Sequence, residues 1–219
     1  MASPSAKPPI TFGDRIQSKV KVSGRRAGQR FDAEHGVTTE ALVFLGELDP
    51  DAIGDALEHA THYEPTPVAQ AEALLDASPL DPSTATFVDL GAGMGRVVLL
   101  AARRPFRQVV GVEVSPALVE IARENVAAAR DPLRVARDVR IVRADAATYA
   151  LPRGPLVVYL YNPFHGPIFA AVLERLQEAG RRDDVVALYH TPVDQAALEA
   201  ESFERVADLG FGLAYRVRR

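Results

Sequence analysis

The chain has 219 residues, 47% of them hydrophobic, which suits one domain with a large core and an appended segment and would cramp two. It contains no cysteine, which excludes disulfides, thiolate metal sites and a cysteine nucleophile. The formal net charge is −4, and no stretch approaches the apolar length of a membrane span or a signal peptide, so a cytoplasmic protein is expected.

Residues 1–30 hold seven basic side chains, Lys7, Arg15, Lys19, Lys21, Arg25, Arg26 and Arg30, against one acid, Asp14. The pattern reads as a solvated basic arm. It offers charge to nucleic acid but no series of stacking aromatics. Between Thr38 and His62, Leu42, Leu45, Leu48, Ile53 and Leu57 recur at helical spacing, broken at Asp49-Pro50, which predicts two short helices. The Pro-punctuated connector Tyr63-Glu64-Pro65-Thr66-Pro67 leads into an amphipathic helix over Val68 to Ala77. The division expected is an arm and helical lid over 1–62 and a main domain over 63–219.

From Thr86 strands and helices alternate. Strands are predicted at Thr86–Leu90, Gln108–Val114, Val139–Arg143, Leu156–Tyr161 and Asp184–Tyr189, and helices at Arg96–Arg104, Pro116–Ala129 and Ile168–Glu178. The apolar runs are short, rich in Val and do not alternate, as for parallel strands covered on both faces. A short helix over Asp194–Ala200 and an antiparallel pair at the sheet edge, Phe203–Leu209 and Leu213–Arg218, complete a doubly wound α/β fold with seven strands.

The first strand, Phe87-Val88-Asp89-Leu90, runs into Gly91-Ala92-Gly93-Met94-Gly95-Arg96, a turn with glycines at alternate positions that opens a helix. Such a turn lets a ligand approach the backbone closely. Glu113 ends the next strand, 22 residues beyond Gly91, where a carboxylate can accept from both hydroxyls of a ribose. The dinucleotide fingerprint wants its third glycine where Arg96 stands, so the pattern for a nicotinamide dinucleotide is broken.

These residues resemble the first motif of the class I S-adenosylmethionine-dependent methyltransferases, and Gly111-Val112-Glu113-Val114-Ser115 is similar to their second-strand acidic motif. The likeness continues at Arg143-Ala144-Asp145-Ala146, where that family places a carboxylate near the adenine amino group. It spans roughly Tyr63 to Tyr189 and implies a Rossmann-like fold, S-adenosyl-L-methionine as cofactor, and Asp89, Gly91, Ala92, Gly93, Gly95, Glu113, Val114, Asp145 and Ala146 around it. Tyr161-Asn162-Pro163-Phe164-His165 resembles the Asn/Asp-Pro-Pro-Tyr turn of amino-directed methyltransferases, with one proline fewer and Phe164 in the aromatic place, and also the Asn-rich turn of Dot1-type lysine methyltransferases. By that resemblance Asn162 accepts from the acceptor amine and contacts the cofactor, Tyr161 and Phe164 offer rings, and Tyr63 and Thr66 close over its methionine end. His165 is a candidate base, and His190, at a strand end, a weaker one. The acceptor implied is a nitrogen, on a protein lysine or a small-molecule amine, ahead of nucleic acid or oxygen. An NAD(P)-dependent oxidoreductase and a non-catalytic cofactor binder are the remaining alternatives. His59 and His62 share a helical face but lack a third ligand, so no metal is expected.

Overall fold

The computed structural model describes residues 26–44, 62–129, 135–161, 166–192, 198 and 202–218. In chain order these form α1 (Arg26–His35), β1 (Val43–Phe44), β2 (His62–Tyr63), α2 (Val68–Asp76), β3 (Thr86–Leu90), α3 (Arg96–Ala102), β4 (Gln108–Glu113), α4 (Pro116–Ala128), β5 (Val139–Arg143), β6 (Leu156–Tyr161), α5 (Gly166–Gly180), β7 (Val185–His190), β8 (Phe203–Asp208) and β9 (Gly212–Val217).

The main sheet has seven strands in the order β5-β4-β3-β6-β7-β9-β8. Strands β5 to β7 are mutually parallel, while β9 pairs antiparallel with β7 and with β8 at the edge. This is the Rossmann-like arrangement expected. Alternate residues of each central strand feed two cores. Phe87, Val157 and Tyr159 pack toward α2, α3 and α4, whereas Val88, Val158 and Leu160 pack toward α5. Burial on both faces is why the strand sequences carry no polar alternation. The chain leaves β3 for β4 and β5 on one side and returns to β6 on the other. A crevice therefore opens at the carboxyl ends of β3, β4 and β6, where ligands bind in such sheets.

The N-terminal region departs from expectation. Residues Arg26–His35, read as the end of a solvated arm and its continuation, form α1, with Gly28 and Phe31 buried and Phe31 meeting His35 edge-on at 4.7 Å. The helix predicted from Thr38 does not form over its described part. The backbone N–H groups of Thr39 and Glu40 donate to Asp32 Oδ2 and that of Thr38 to Asn125 Oδ1, while Ala41 N reaches only two residues back, to Thr39 O, in place of a helical bond. Instead β1 pairs antiparallel with β2, joining residues on either side of position 62. Phe31 and Val37 enter the same core as Leu74 and Leu100. The second predicted helix lies outside the described residues except at its end, where His62 is a strand residue of β2 and not helical, and nearly all of the one over Asp194–Ala200 lies outside them too, though Leu198 is buried. Among the described residues, no helix is long and apolar enough to cross a membrane.

Candidate active site

The glycine turn is shaped by three left-handed residues, Gly91 at φ 84°, Gly93 at φ 54° and Gly95 at φ 85°, and Gly95 caps the start of α3. The turn is fastened from below, since Gly91 and Ala92 donate to Val112 O at 2.9 and 3.0 Å. Glu113, 6% exposed, fastens it from the side. Its Oε2 accepts from Gly93 N and its Oε1 from Ser115 N, both at 2.9 Å. This carboxylate thus builds the turn, in addition to the ribose role expected of it. Ala144 N donates to Glu113 O at 3.1 Å, which carries the chain after β5 back toward the crevice. There Asp145 is half-buried with Oδ1 accepting from Ala147 N at 2.8 Å, Ala146 is buried and Val114 half-buried.

Tyr63 reaches over the turn from β2. A Cβ on Gly93 would lie 2.2 Å from Tyr63 Cδ2, so the ring rests directly on this glycine, and its hydroxyl donates to Thr39 O at 2.8 Å. Thr66 is buried, its Oγ1 accepting from the Tyr159 hydroxyl at 3.2 Å. The connector predicted to close over the site therefore does lie against the turn, held by β6 and the segment after α1.

Two carboxyls, Asp89 and Glu113, are nearly buried at the ends of neighbouring strands. Three backbone N–H groups, of Ser115, Gly93 and Val114, work against the burial that pushes Glu113 up. Asp89 receives no hydrogen bond among the described residues; burial first, then the charge of Glu113, pushes it up to about 8. Burial thus favours the protonated form at both carboxyls, and Asp89 lacks the backbone donors that oppose this at Glu113.

On the acceptor side, Tyr161 is half-buried and opposes His190 across the parallel pair, with their rings edge-on at 4.4 Å. His190 is buried with both ring nitrogens engaged, Nε2 with Gln70 Oε1 at 2.8 Å and Nδ1 with Thr191 Oγ1 at 3.2 Å. Both of its ring nitrogens are thus tied to neighbours on α2 and at the end of β7. Asn162, Phe164 and His165 lie outside the described residues, as does His59.

Sequence reasoning missed the group behind the turn. Arg96, 2% exposed, is bonded to Thr39 Oγ1 at 2.7 Å and Thr66 O at 3.3 Å and paired with Glu40 Oε2 at 2.7 Å and Asp32 Oδ1 at 3.6 Å. One signal was present: a cation in the first turn of a helix opposes the helix dipole and needs carboxylates to hold it.

A glycine turn and two buried strand-end carboxyls, Asp89 and Glu113, meet at a topological switch point, the arrangement of a nucleoside site in an α/β sheet. The donor set suits a ligand with ribose hydroxyls and a cationic end, whereas a diphosphate would face buried carboxyls. Residues 87–182 match the family model described as a methyltransferase domain, and S-adenosyl-L-methionine is the methyl donor that this match supports. A trans-aconitate 2-methyltransferase of Methylobacterium radiotolerans is 38% identical over 100 residues, 45% of this chain. The match spans 34% of that protein's length. The fold is shared with a candidate RNA methyltransferase of Pyrococcus horikoshii, at 17% identity and a TM-score of 0.53 over 80% of this chain and 96% of that one. It is shared too with the 23S rRNA methyltransferase ErmE, at 17% identity and a TM-score of 0.50 over 69% and 67%.

The state of Asp89 makes a pH dependence testable. If the ammonium of the methionine end needs the Asp89 carboxylate, binding releases a proton below about pH 8. Affinity for S-adenosylhomocysteine should rise between pH 6 and 8, by at most about tenfold per unit, and then level. The raised acid acts on folding in the opposite sense. Its stabilisation is complete below its unfolded value of 3.8 and is lost as pH rises through about 8, so the ligand-free protein should melt lower at pH 8 than at pH 6. Titration calorimetry in two buffers of different ionisation enthalpy reads the released proton. A pH-independent affinity, with no proton released, would remove Asp89 from the methionine end.

Proposed function

We propose that the chain transfers a methyl group from S-adenosyl-L-methionine to a nitrogen nucleophile, an amine of a small molecule or of a lysine side chain. One observation carries this reading. Strand β6 runs beside β3, with Leu160 opposite Leu90, so Tyr161, the last residue of β6, stands next to the start of the glycine turn, and Asn162-Pro163-Phe164 follow it in the sequence. The cofactor supplies an electrophilic methyl on a sulfonium, and the protein must hold an amine in line with it. Asn162 would accept from the amine N–H groups and contact the cofactor, and Phe164 and Tyr161 would pack against the acceptor; His165 would take the released proton. Glu113 would bind the ribose hydroxyls, Asp145 the adenine amino group, and Asp89 with the turn the methionine end. Tyr63 and Thr66 would cover that end. The Methylobacterium radiotolerans relative is named for trans-aconitate, a tricarboxylate without nitrogen, which favours a small molecule over a lysine side chain and makes a carboxylate oxygen the second reading for the acceptor atom.

The test is Asn162→Ala, assayed with methyl-labelled S-adenosylmethionine over amines and cell-extract fractions. Turnover should fall roughly tenfold to a hundredfold while affinity for S-adenosylhomocysteine stays within a few fold, because orientation is lost and most of the cofactor contacts are kept. Equal turnover in variant and parent would take Asn162 out of the mechanism.

A further inference from the structure

Arg96 is a buried cation with partners from three parts of the chain. Asp32 lies on α1, whose Phe31 ring sits 5.9 Å below the guanidinium, Thr39 and Glu40 follow α1, and Thr66 belongs to the connector. Its own backbone is the first residue of α3, directly after Gly95. Among the described residues the Glu40 oxygens and Arg96 Nη2 have no hydrogen-bond partner despite the ion pair, and the cluster of one cation and two carboxylates is almost sealed from water. An incompletely bonded buried ion cluster is a poor source of stability, because desolvation offsets most of the attraction. What it does supply is geometry. Thr39 Oγ1 accepts from Arg96 Nε and donates to Asp32 Oδ1 at 2.6 Å, while Thr39 O accepts from the Tyr63 hydroxyl. A line of contacts thus runs from Arg96 through Thr39 to the Tyr63 ring and from the ring onto Gly93. Asn125 closes the other side, its Nδ2 donating to Thr38 O at 2.8 Å and to Met94 O at 2.9 Å.

We propose that Arg96 is a positioning residue for the cofactor turn: it clamps the segment after α1 and the Tyr63–Thr66 connector against residues 91–95, and so holds the turn in its ligand-ready shape without touching the ligand. The inference rests on the cofactor reading above. A ligand seated in the turn and the clamped segment behind it then stabilise one another, since each favours the same backbone arrangement.

The experiment compares Arg96→Ala, Arg96→Lys and Thr39→Val with the parent in the full chain, at a temperature where each is folded. S-adenosylhomocysteine affinity is measured by calorimetry, and amide hydrogen exchange of residues 91–95 is measured without ligand. Affinity should fall about tenfold or more for Arg96→Ala and about three- to tenfold for Thr39→Val, with Arg96→Lys between Arg96→Ala and the parent because it keeps the charge but not the fork of donors. Exchange in the turn should quicken in the same order. If Arg96→Ala does not fold, the other two variants decide. A network that only adds stability would lower melting temperatures yet leave affinity and turn exchange at parental values, and that result would overturn the proposal. A parent that binds no S-adenosylhomocysteine would instead sink the cofactor reading, and the ligand-free exchange would still decide the clamp.

Discussion

Gly93→Val is expected to abolish measurable binding of S-adenosylhomocysteine, a loss of more than about a hundredfold, and to lower the melting temperature. Two costs coincide at this residue. A β-branched side chain at φ 54° is strained by at least about 1–2 kcal/mol. Its Cβ would also stand 2.2 Å from Tyr63 Cδ2 and 2.3 Å from Cε2, and the ring cannot swing aside without releasing its hydroxyl from Thr39 O. The turn must then move, which pulls Gly93 N from Glu113 Oε2. A total near 3 kcal/mol corresponds to a drop of roughly 6–12 °C for a chain of this size. Thermal melting and calorimetry on one preparation check both parts. Parental affinity in the valine variant would mean that the turn does not meet the ligand.

Glu113→Ala should weaken S-adenosylhomocysteine binding by roughly a hundredfold to a thousandfold. The carboxylate would hold the ribose diol by charge-assisted bonds, worth on the order of 2–4 kcal/mol together. It also pins Gly93 and Ser115, so its removal loosens the binding surface as well as the contact. Glu113→Gln separates these contributions. An amide can accept at one position but presents N–H at the other, against a backbone donor, so its loss should be intermediate. Near-parental affinity for the folded alanine variant would refute the ribose assignment.

The strands around the site were legible because they are buried on both faces. β3, β5 and β6 match the predicted spans, since Val-rich runs bounded by Gly, Pro or charge leave little choice of ends. The antiparallel edge pair was legible from the Gly210-Phe211-Gly212 break, and Gly210 is left-handed at φ 77°. Residues 26–44 were not. α1 buries Gly28 and Phe31 beneath a face of charges, too small an apolar stripe to outweigh a basic composition. The apolar spacing after Thr38 suggested a helix, but its amides are claimed by Asp32 and by Asn125, the latter 87 residues away, and local periodicity cannot show such a partner. Arg96 was read for what it denies a dinucleotide. Its ion pairs with Asp32 and Glu40 depend on α1 lying against α3, which follows only from the tertiary structure. The role of Glu113 in the turn was hidden in the same way, since the ribose expectation came from its place at a strand end.

The most direct measurement of the central claim is isothermal titration of the protein with S-adenosylhomocysteine, S-adenosylmethionine and NADH under one set of conditions. The account predicts one-to-one binding of both adenosyl ligands in the micromolar range and no heat with NADH; saturable NADH binding without a response to S-adenosylhomocysteine would contradict it.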